Sequence, residues 1–180
     1  MWHKPPGLRC VTILVMPSTP VTQALEALRI PHTLHVHERP LRSLAQAAEE
    51  RGLQPGQIIR SLVFRLEDGS FVLVLVAGPG KVSWPRLRRH LGVSRLTTAM
   101  PEEVRRVTGY EPGAVSPIGL ASPLRILVDR GLVAHDVVSI GAGIRNAGVI
   151  LGREDLMRVL QAEIGDFTES EPEAGAPEPP

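Results

Sequence analysis

Val104-Arg105-Arg106-Val107-Thr108-Gly109-Tyr110-Glu111-Pro112-Gly113-Ala114-Val115-Ser116-Pro117-Ile118-Gly119-Leu120 decides the reading of this 180-residue chain. The stretch reads as the end of a helix, opened by Pro101, that runs into a stiff loop. Gly109 sits where a helix C′ residue takes positive φ. Gly113 and Gly119 leave backbone uncovered by Cβ atoms, and Pro112 and Pro117 fix φ. A rigid loop with bare amides and one hydroxyl, Ser116, suits close binding of a small polar group. An ordinary irregular connection has the same composition, so the surroundings must decide.

Upstream, Thr19 and Pro20 form an N-cap and first helical residue, with Val21, Ala24, Leu25 and Leu28 at helical spacing. Thr33 to His37 is a short strand, and Ser43 with Gln46 makes a capping box for a helix ending before Gly52. Ile58 to Leu66 and Phe71 to Ala77 are strands joined at Asp68-Gly69. After the Gly78-Pro79-Gly80 break, Ser83 caps a helix ending near Gly92. Downstream, Leu124 to Asp129, Val137 to Ile140 and Gly148 to Leu151 are strands. Arg153 to Gln161 closes the pattern as a helix with Leu156, Val159 and Leu160 on one face. Hairpin-like pairs mixed with helices predict an α/β domain of the α+β type with a mixed sheet.

The length suits one domain with a sizeable core. Residues 1–17 are expected to be an N-terminal extension, with Met16 as an alternative start, 18–164 the folded domain, and 165–180 a disordered acidic, Pro-rich tail. The single Cys10 excludes an internal disulfide, and no apolar run reaches the roughly 20 residues of a membrane span. The net charge of +1 hides an asymmetry: Ser18 to Leu160 holds 18 bases against 13 acids. No acid falls between Asp68 and Glu102, where Lys81, Arg86, Arg88, Arg89 and Arg95 cluster. Such a stripe fits a polyanion such as RNA, or equally a solvated helix face.

Arg60 stands out because alternation along its strand puts it with Leu62, Phe64 and Leu66. A guanidinium on an apolar face needs an anionic or carbonyl partner: an internal ion pair, or a ligand in a pocket. Gly141-Ala142-Gly143 could offer amides to an oxyanion, although Asn146 breaks any dinucleotide fingerprint and a tight turn explains two glycines as well. His35 and His37 share a strand face, but with Glu38 as the one obvious carboxylate nearby no metal site is expected. Ser116 lacks the context of a hydrolytic nucleophile.

The anchors Ile58-Ile59-Arg60-Ser61-Leu62, Thr108-Gly109-Tyr110 with Gly113, Ser116, Pro117 and Gly119, Gly141-Ala142-Gly143 and Asp155-Leu156 resemble the YbaK/EbsC family of aminoacyl-tRNA deacylases. That family is related to the editing domain inserted in bacterial prolyl-tRNA synthetases, and the resemblance runs from about Ser18 to Leu160. It implies one domain whose curled mixed sheet forms a pocket for the aminoacyl-adenosine end of a mischarged tRNA, where the ester is hydrolysed without metal or organic cofactor. Arg60, Gly113, Ser116, Gly141 and Gly143 would then be the catalytic positions. Tyr110, Pro117 and Gly119, with Lys81, Arg86 and Arg89 of the basic stripe, would bind substrate. The implied partner is tRNA, with an aminoacyl-tRNA synthetase as a further candidate, and the implied setting is the cytoplasm. Two departures matter: active members carry a functional lysine at the position of Arg60, and some relatives have Ser and Asp where this chain has Gly141 and Gly148. Arg stays protonated and cannot act as a general base, but it can clamp a phosphate or polarise a carbonyl. A non-catalytic tRNA- or synthetase-binding module, or a hydrolase of small aminoacyl esters, are the rival expectations.

Overall fold

A computed structural model describes residues 18–169. Helix α1 (Pro20–Ala27) starts where Thr19 Oγ1 accepts the Thr22 N–H at 3.2 Å, and it buries Val21 and Leu25. Strand β1 (His32–Val36) precedes α2 (Leu44–Glu50), which Ser43 caps by accepting the Gln46 N–H at 3.1 Å. Strands β2 (Ile59–Leu66) and β3 (Phe71–Ala77) form an antiparallel hairpin. Helix α3 (Trp84–Leu91) stops at Gly92, at φ 69°; β4 (Leu96–Thr98) follows, and α4 (Pro101–Thr108) stops at Gly109, at φ 79°. The order closes with β5 (Arg125–Asp129), β6 (Val137–Gly141), β7 (Ala147–Gly152), α5 (Arg153–Leu160) and β8 (Glu163–Gly165).

The expected α+β class is what the chain adopts, with one refinement. In place of one curled sheet there are two, a five-stranded mixed sheet ordered β4-β2-β3-β5-β8 and an antiparallel three-stranded sheet ordered β1-β7-β6. Among the described residues one isolated bridge, Ile58 to Ser139, joins their backbones, and both sheets contribute side chains to a shared core. Strands β4 and β8 are three residues each, too short for a period-two pattern to show. Strand β3 is central, with Val72 through Val76 all buried. Leu73 and Leu75 face a core with Val21, Ile59, Val128 and Leu156, whereas Val72, Val74 and Val76 face Phe64, Leu87, Leu127 and Phe167. Burial on both faces explains the unbroken apolar run, at about 1.5–3 kcal/mol for each large side chain.

The tail expected to be disordered from Gly165 is packed as far as Glu169. Phe167 is buried, and its N–H and that of Thr168 donate to Asp129 Oδ2 at 2.8 and 3.0 Å. One aromatic among acids and prolines escapes a compositional reading, yet its burial suffices to anchor the segment. The expectations for 1–17 and for 170–180 lie outside the described residues. Among the described residues no helix is long and apolar enough to cross a membrane.

Candidate active site

The two sheets part along β2. Strand β4 pairs β2 from Phe64 to Leu66, the Ala99 N–H donates to the Val63 carbonyl, and the Ile58 bridge lies at the other end. Between them, the β2 edge from Arg60 to Leu62 faces the loop after α4. A cleft with two adjoining lobes, of about 550 and 590 Å³, opens there. Arg60, Ser61, Leu62, Pro112, Gly113 and Val115 line both lobes. The first lobe continues over Val63, Phe64, Val82, Trp84, Ala99, Pro101 and Val104, with Thr98, Lys81 and Glu169 as its other polar residues. The second continues under α2 to Arg51 and along Ile140, Gly141, Arg145 and Asn146.

Arg60 finds carbonyl partners. Its Nε–H donates to the Gly78 carbonyl at 2.8 Å and an Nη–H donates to that of Gly80, so the Gly-Pro-Gly break is a cradle for the guanidinium. No ion pair forms at Arg60 among the described residues, which sets aside the internal-ion-pair expectation. Burial lowers its pKa, but a guanidinium remains a cation, and here its charge is left uncompensated at the junction of the lobes.

The loop quoted at the outset is the wall of this cleft more than its lining. Thr108 Oγ1 donates to the Val104 carbonyl at 2.6 Å and accepts the Tyr110 N–H at 3.1 Å. The Tyr110 hydroxyl donates into the Ile118 and Gly119 carbonyls at 2.7 and 3.1 Å, closing the loop on itself. Burial raises the pKa of this phenol, which keeps it a donor. A Cβ at Gly119 would lie 2.7 Å from the Tyr110 hydroxyl, and one at Gly143 would lie 2.8 Å from Tyr110 Cε1. Both glycines therefore make room for the tyrosine.

Several expected positions accordingly lie behind the lining. Ser116 is fully buried and its Oγ accepts the Ile118 N–H at 3.3 Å, so it shapes the turn behind the wall. Tyr110, Pro117, Gly119 and Gly143 also lie outside the lobe linings. The Gly143 N–H, expected to hold an oxyanion, donates to the Ala114 carbonyl at 3.1 Å. The reason is common to all of them: residues that rigidify a loop pack inward, and the loop meets the cleft through Pro112, Gly113 and Val115. Gly113 stands at φ 87°, with open space where a Cβ would be and an N–H that makes no hydrogen bond among the described residues. Gly141 does line the second lobe, and a Cβ there would fall on the Val115 carbonyl oxygen. Its smallness lets the loop approach β6.

The basic stripe divides. Lys81 lines the first lobe, whereas Arg86 and Arg89 are exposed on α3, and Arg86 Nη1 donates to the Thr168 carbonyl at 2.9 Å. The acid-free segment is not acid-free in space: Glu163 accepts from His90 at 3.0 Å, and Glu67 accepts the Arg95 N–H at 3.0 Å.

Sequence reasoning missed Ser61 and Arg51. Ser61 Oγ is shielded from solvent with no hydrogen-bond partner among the described residues, beside Arg60 on both lobes. A serine in an apolar strand was the only available signal. Arg51 reaches the second lobe from the end of α2, donating to His37 Nε2 at 3.1 Å and to Ser139 Oγ at 2.9 Å. His37 in turn bonds Glu50, so the carboxylate that joins His35 and His37 is Glu50 and not Glu38. Although His35, His37 and Glu50 lie close enough to hold a cation, both ring nitrogens of His37 already have protein partners.

Comparison with known proteins agrees with this geometry. The family model described as the aminoacyl-tRNA editing domain matches residues 38–159. The proline–tRNA ligase of Bacillus licheniformis is 31% identical over 121 residues, 67% of this chain and 21% of the ligase. This chain thus spans about a fifth of the length of that relative. The multifunctional Ser/Thr-tRNA deacylase ProXp-y of Escherichia coli is 30% identical over 124 residues, 67% of this chain and 74% of that protein. A crystal structure of a candidate trans-editing enzyme for prolyl tRNA synthetase superposes with a TM-score of 0.77 at 30% identity, covering 84% of this chain and 96% of that one. The family match takes in more than half of the chain, so the chain belongs to the aminoacyl-tRNA editing domain family.

Proposed function

We propose that this protein hydrolyses the ester joining a wrong amino acid to the 3′-terminal adenosine of a tRNA, acting in trans, with tRNA-Pro-type molecules as substrates. The observation that carries this is that Arg60 and Gly113, whose N–H has no hydrogen-bond partner among the described residues, both line both lobes of a cleft inside an editing domain. The apolar first lobe takes the amino-acid side chain, and the ester carbonyl lies at the junction. A water attacks it, held by the neighbouring ribose hydroxyl, because no side chain at the junction is a general base: Arg60 stays charged and Ser61 is a poor base. The developing oxyanion is met by the Gly113 N–H and the field of Arg60, an arrangement in which removing one donor costs about 100- to 1,000-fold in rate. Lys81 and the exposed Arg89 meet backbone phosphates, so binding weakens as salt rises. Translation is the setting of the reaction, hence the cytoplasm, and a synthetase that charges the tRNA is the natural further partner.

One observation favours a second reading. The Gly78 and Gly80 carbonyls hold Arg60 where relatives carry a lysine, which suits a module that binds tRNA without cleaving it. The test is release of amino acid from Cys-, Ala-, Ser-, Thr- and Pro-charged tRNA-Pro by the wild type. Hydrolysis of at least one charge well above the spontaneous rate supports the enzyme. Salt-sensitive tRNA binding with every ester left intact supports the module.

A further inference from the structure

The second lobe carries a feature that the proposed hydrolysis does not use. Arg42, Arg51, Arg60 and Arg145 line it, and no Asp or Glu of the described residues does. Arg51 is the built member of this group. Its Nε–H can only donate, so His37 Nε2 must be the acceptor, and the imidazole proton sits on Nδ1, donated to Glu50. The bond to His37 is the first cause of the lowered Glu50 pKa, which keeps Glu50 an acceptor; Gln46 Nε2 donates to its other oxygen at 2.8 Å. On the far side, Nη1 donates to the buried Ser139. Two of the three nitrogens are thereby fixed, and Nη2 makes no hydrogen bond among the described residues.

Burial depresses the Arg51 pKa, the mark of a cation held partly out of water. The space it occupies is reserved for it: a Cβ at Gly148 would fall within the Arg51 guanidinium. A side chain at that position of β7 would push the guanidinium out of its present place. A fixed, partly desolvated guanidinium with a spare donor edge is a receptor for an oxyanion. An aminoacyl ester offers the opposite charge at its α-ammonium, which this wall repels. The anion that arrives with the ester is the phosphodiester on the 5′ side of the terminal adenosine.

We propose that Arg51 binds that terminal phosphodiester, with His37, Glu50 and Ser139 as its positioning residues, so that the second lobe takes the nucleotide and leaves the first to the acyl side chain. This rests on the reading of the cleft as an editing site. The experiment measures binding without hydrolysis, by calorimetry with adenosine, adenosine 5′-monophosphate and inorganic phosphate. The wild type should bind the nucleotide about 10- to 100-fold more tightly than the nucleoside, the range of a charge-assisted hydrogen bond, and far more tightly than inorganic phosphate. Arg51→Ala should remove that preference. Gly148→Ala should remove it too, because it displaces the guanidinium while leaving residue 51 an arginine, and Arg51→Lys should restore only part of it. Thermal unfolding identifies any variant that has simply lost its fold. Equal affinity of the wild type for nucleoside and nucleotide overturns the proposal, as does a preference that survives both substitutions. Inorganic phosphate binding as tightly as the nucleotide also overturns it, by showing a generic anion site. Failure to hydrolyse any charged tRNA would instead strike the functional reading and leave this comparison standing.

Discussion

The two lobes of the cleft share a wall and diverge beyond it. In the first, Trp84 stands edge-on to Phe64 at 5.3 Å, Val104 and Ala99 close the side, and both Lys81 and Glu169 are present. In the second, four arginines line the wall and no Asp or Glu of the described residues does, and one of the arginines is locked by a histidine and a serine. Apolar surface selects by size and shape at little electrostatic cost, while fixed cations select charge and little else. A site that must recognise an amino acid and an RNA end together can divide those tasks between two such walls. On the proposed reading, the reacting bond lies where they meet, at Arg60 and Gly113.

The largest effect should come from that junction. Arg60→Ala is expected to lower single-turnover deacylation about 100- to 1,000-fold, with Arg60→Lys intermediate. An undiminished rate in Arg60→Ala would detach catalysis from the boundary between the lobes. Next comes Gly141→Ala, whose Cβ meets the Val115 carbonyl oxygen and must push the loop away from β6. It should lose about 1–3 kcal/mol of stability by thermal unfolding, with a parallel fall in rate for every substrate, since the loop walls both lobes. Trp84→Ala separates the lobes more finely. It should raise KM about 10-fold for esters of large apolar amino acids and change alanyl esters much less, whereas changes at Arg51 should leave that ratio alone. A uniform effect of Trp84→Ala on all side chains would place the acyl group elsewhere.

The smallest effect concerns the support beneath the first lobe. The Arg125 guanidinium, which donates to Glu163 at 2.7 and 2.9 Å, is the main reason that the Glu163 pKa falls to about 2 from its usual 4.5. A depressed carboxylate stabilises the fold above its unfolded pKa and loses that contribution as pH falls through the folded value. The pair is largely exposed, so Glu163→Gln should cost less than about 1 kcal/mol at pH 7, and less still in high salt. The gap to wild type should close between pH 4.5 and pH 2. A gap that persists at pH 2 would show that packing, not charge, fixes the segment.

What the sequence made legible was local. Thr19, Ser43, Gly92 and Gly109 mark helix ends because capping is chemistry within one turn, and the apolar run of β3 announces a strand. The site was legible where a single residue was odd in its own strand, as Arg60 is. It was opaque wherever partners are remote: Arg51 meets Ser139 across 88 positions, and the Gly78 and Gly80 carbonyls that hold Arg60 look in sequence like a turn. The Thr-Gly-Tyr to Ser-Pro-x-Gly string identified the family correctly, while its residues turned out to build the wall behind the lining. Recognisable motifs mark what a fold cannot vary, and rigid loop construction constrains residues as tightly as contact with substrate does.

The most direct test of this division of labour is a crystal structure with a hydrolysis-resistant amide analogue of 3′-aminoacyl-adenosine 5′-monophosphate. The account predicts the acyl side chain between Trp84 and Val104, the amide carbonyl beside the Gly113 N–H, and the phosphate on Arg51. An acyl group under α2 in the second lobe, with the phosphate away from Arg51, would contradict it.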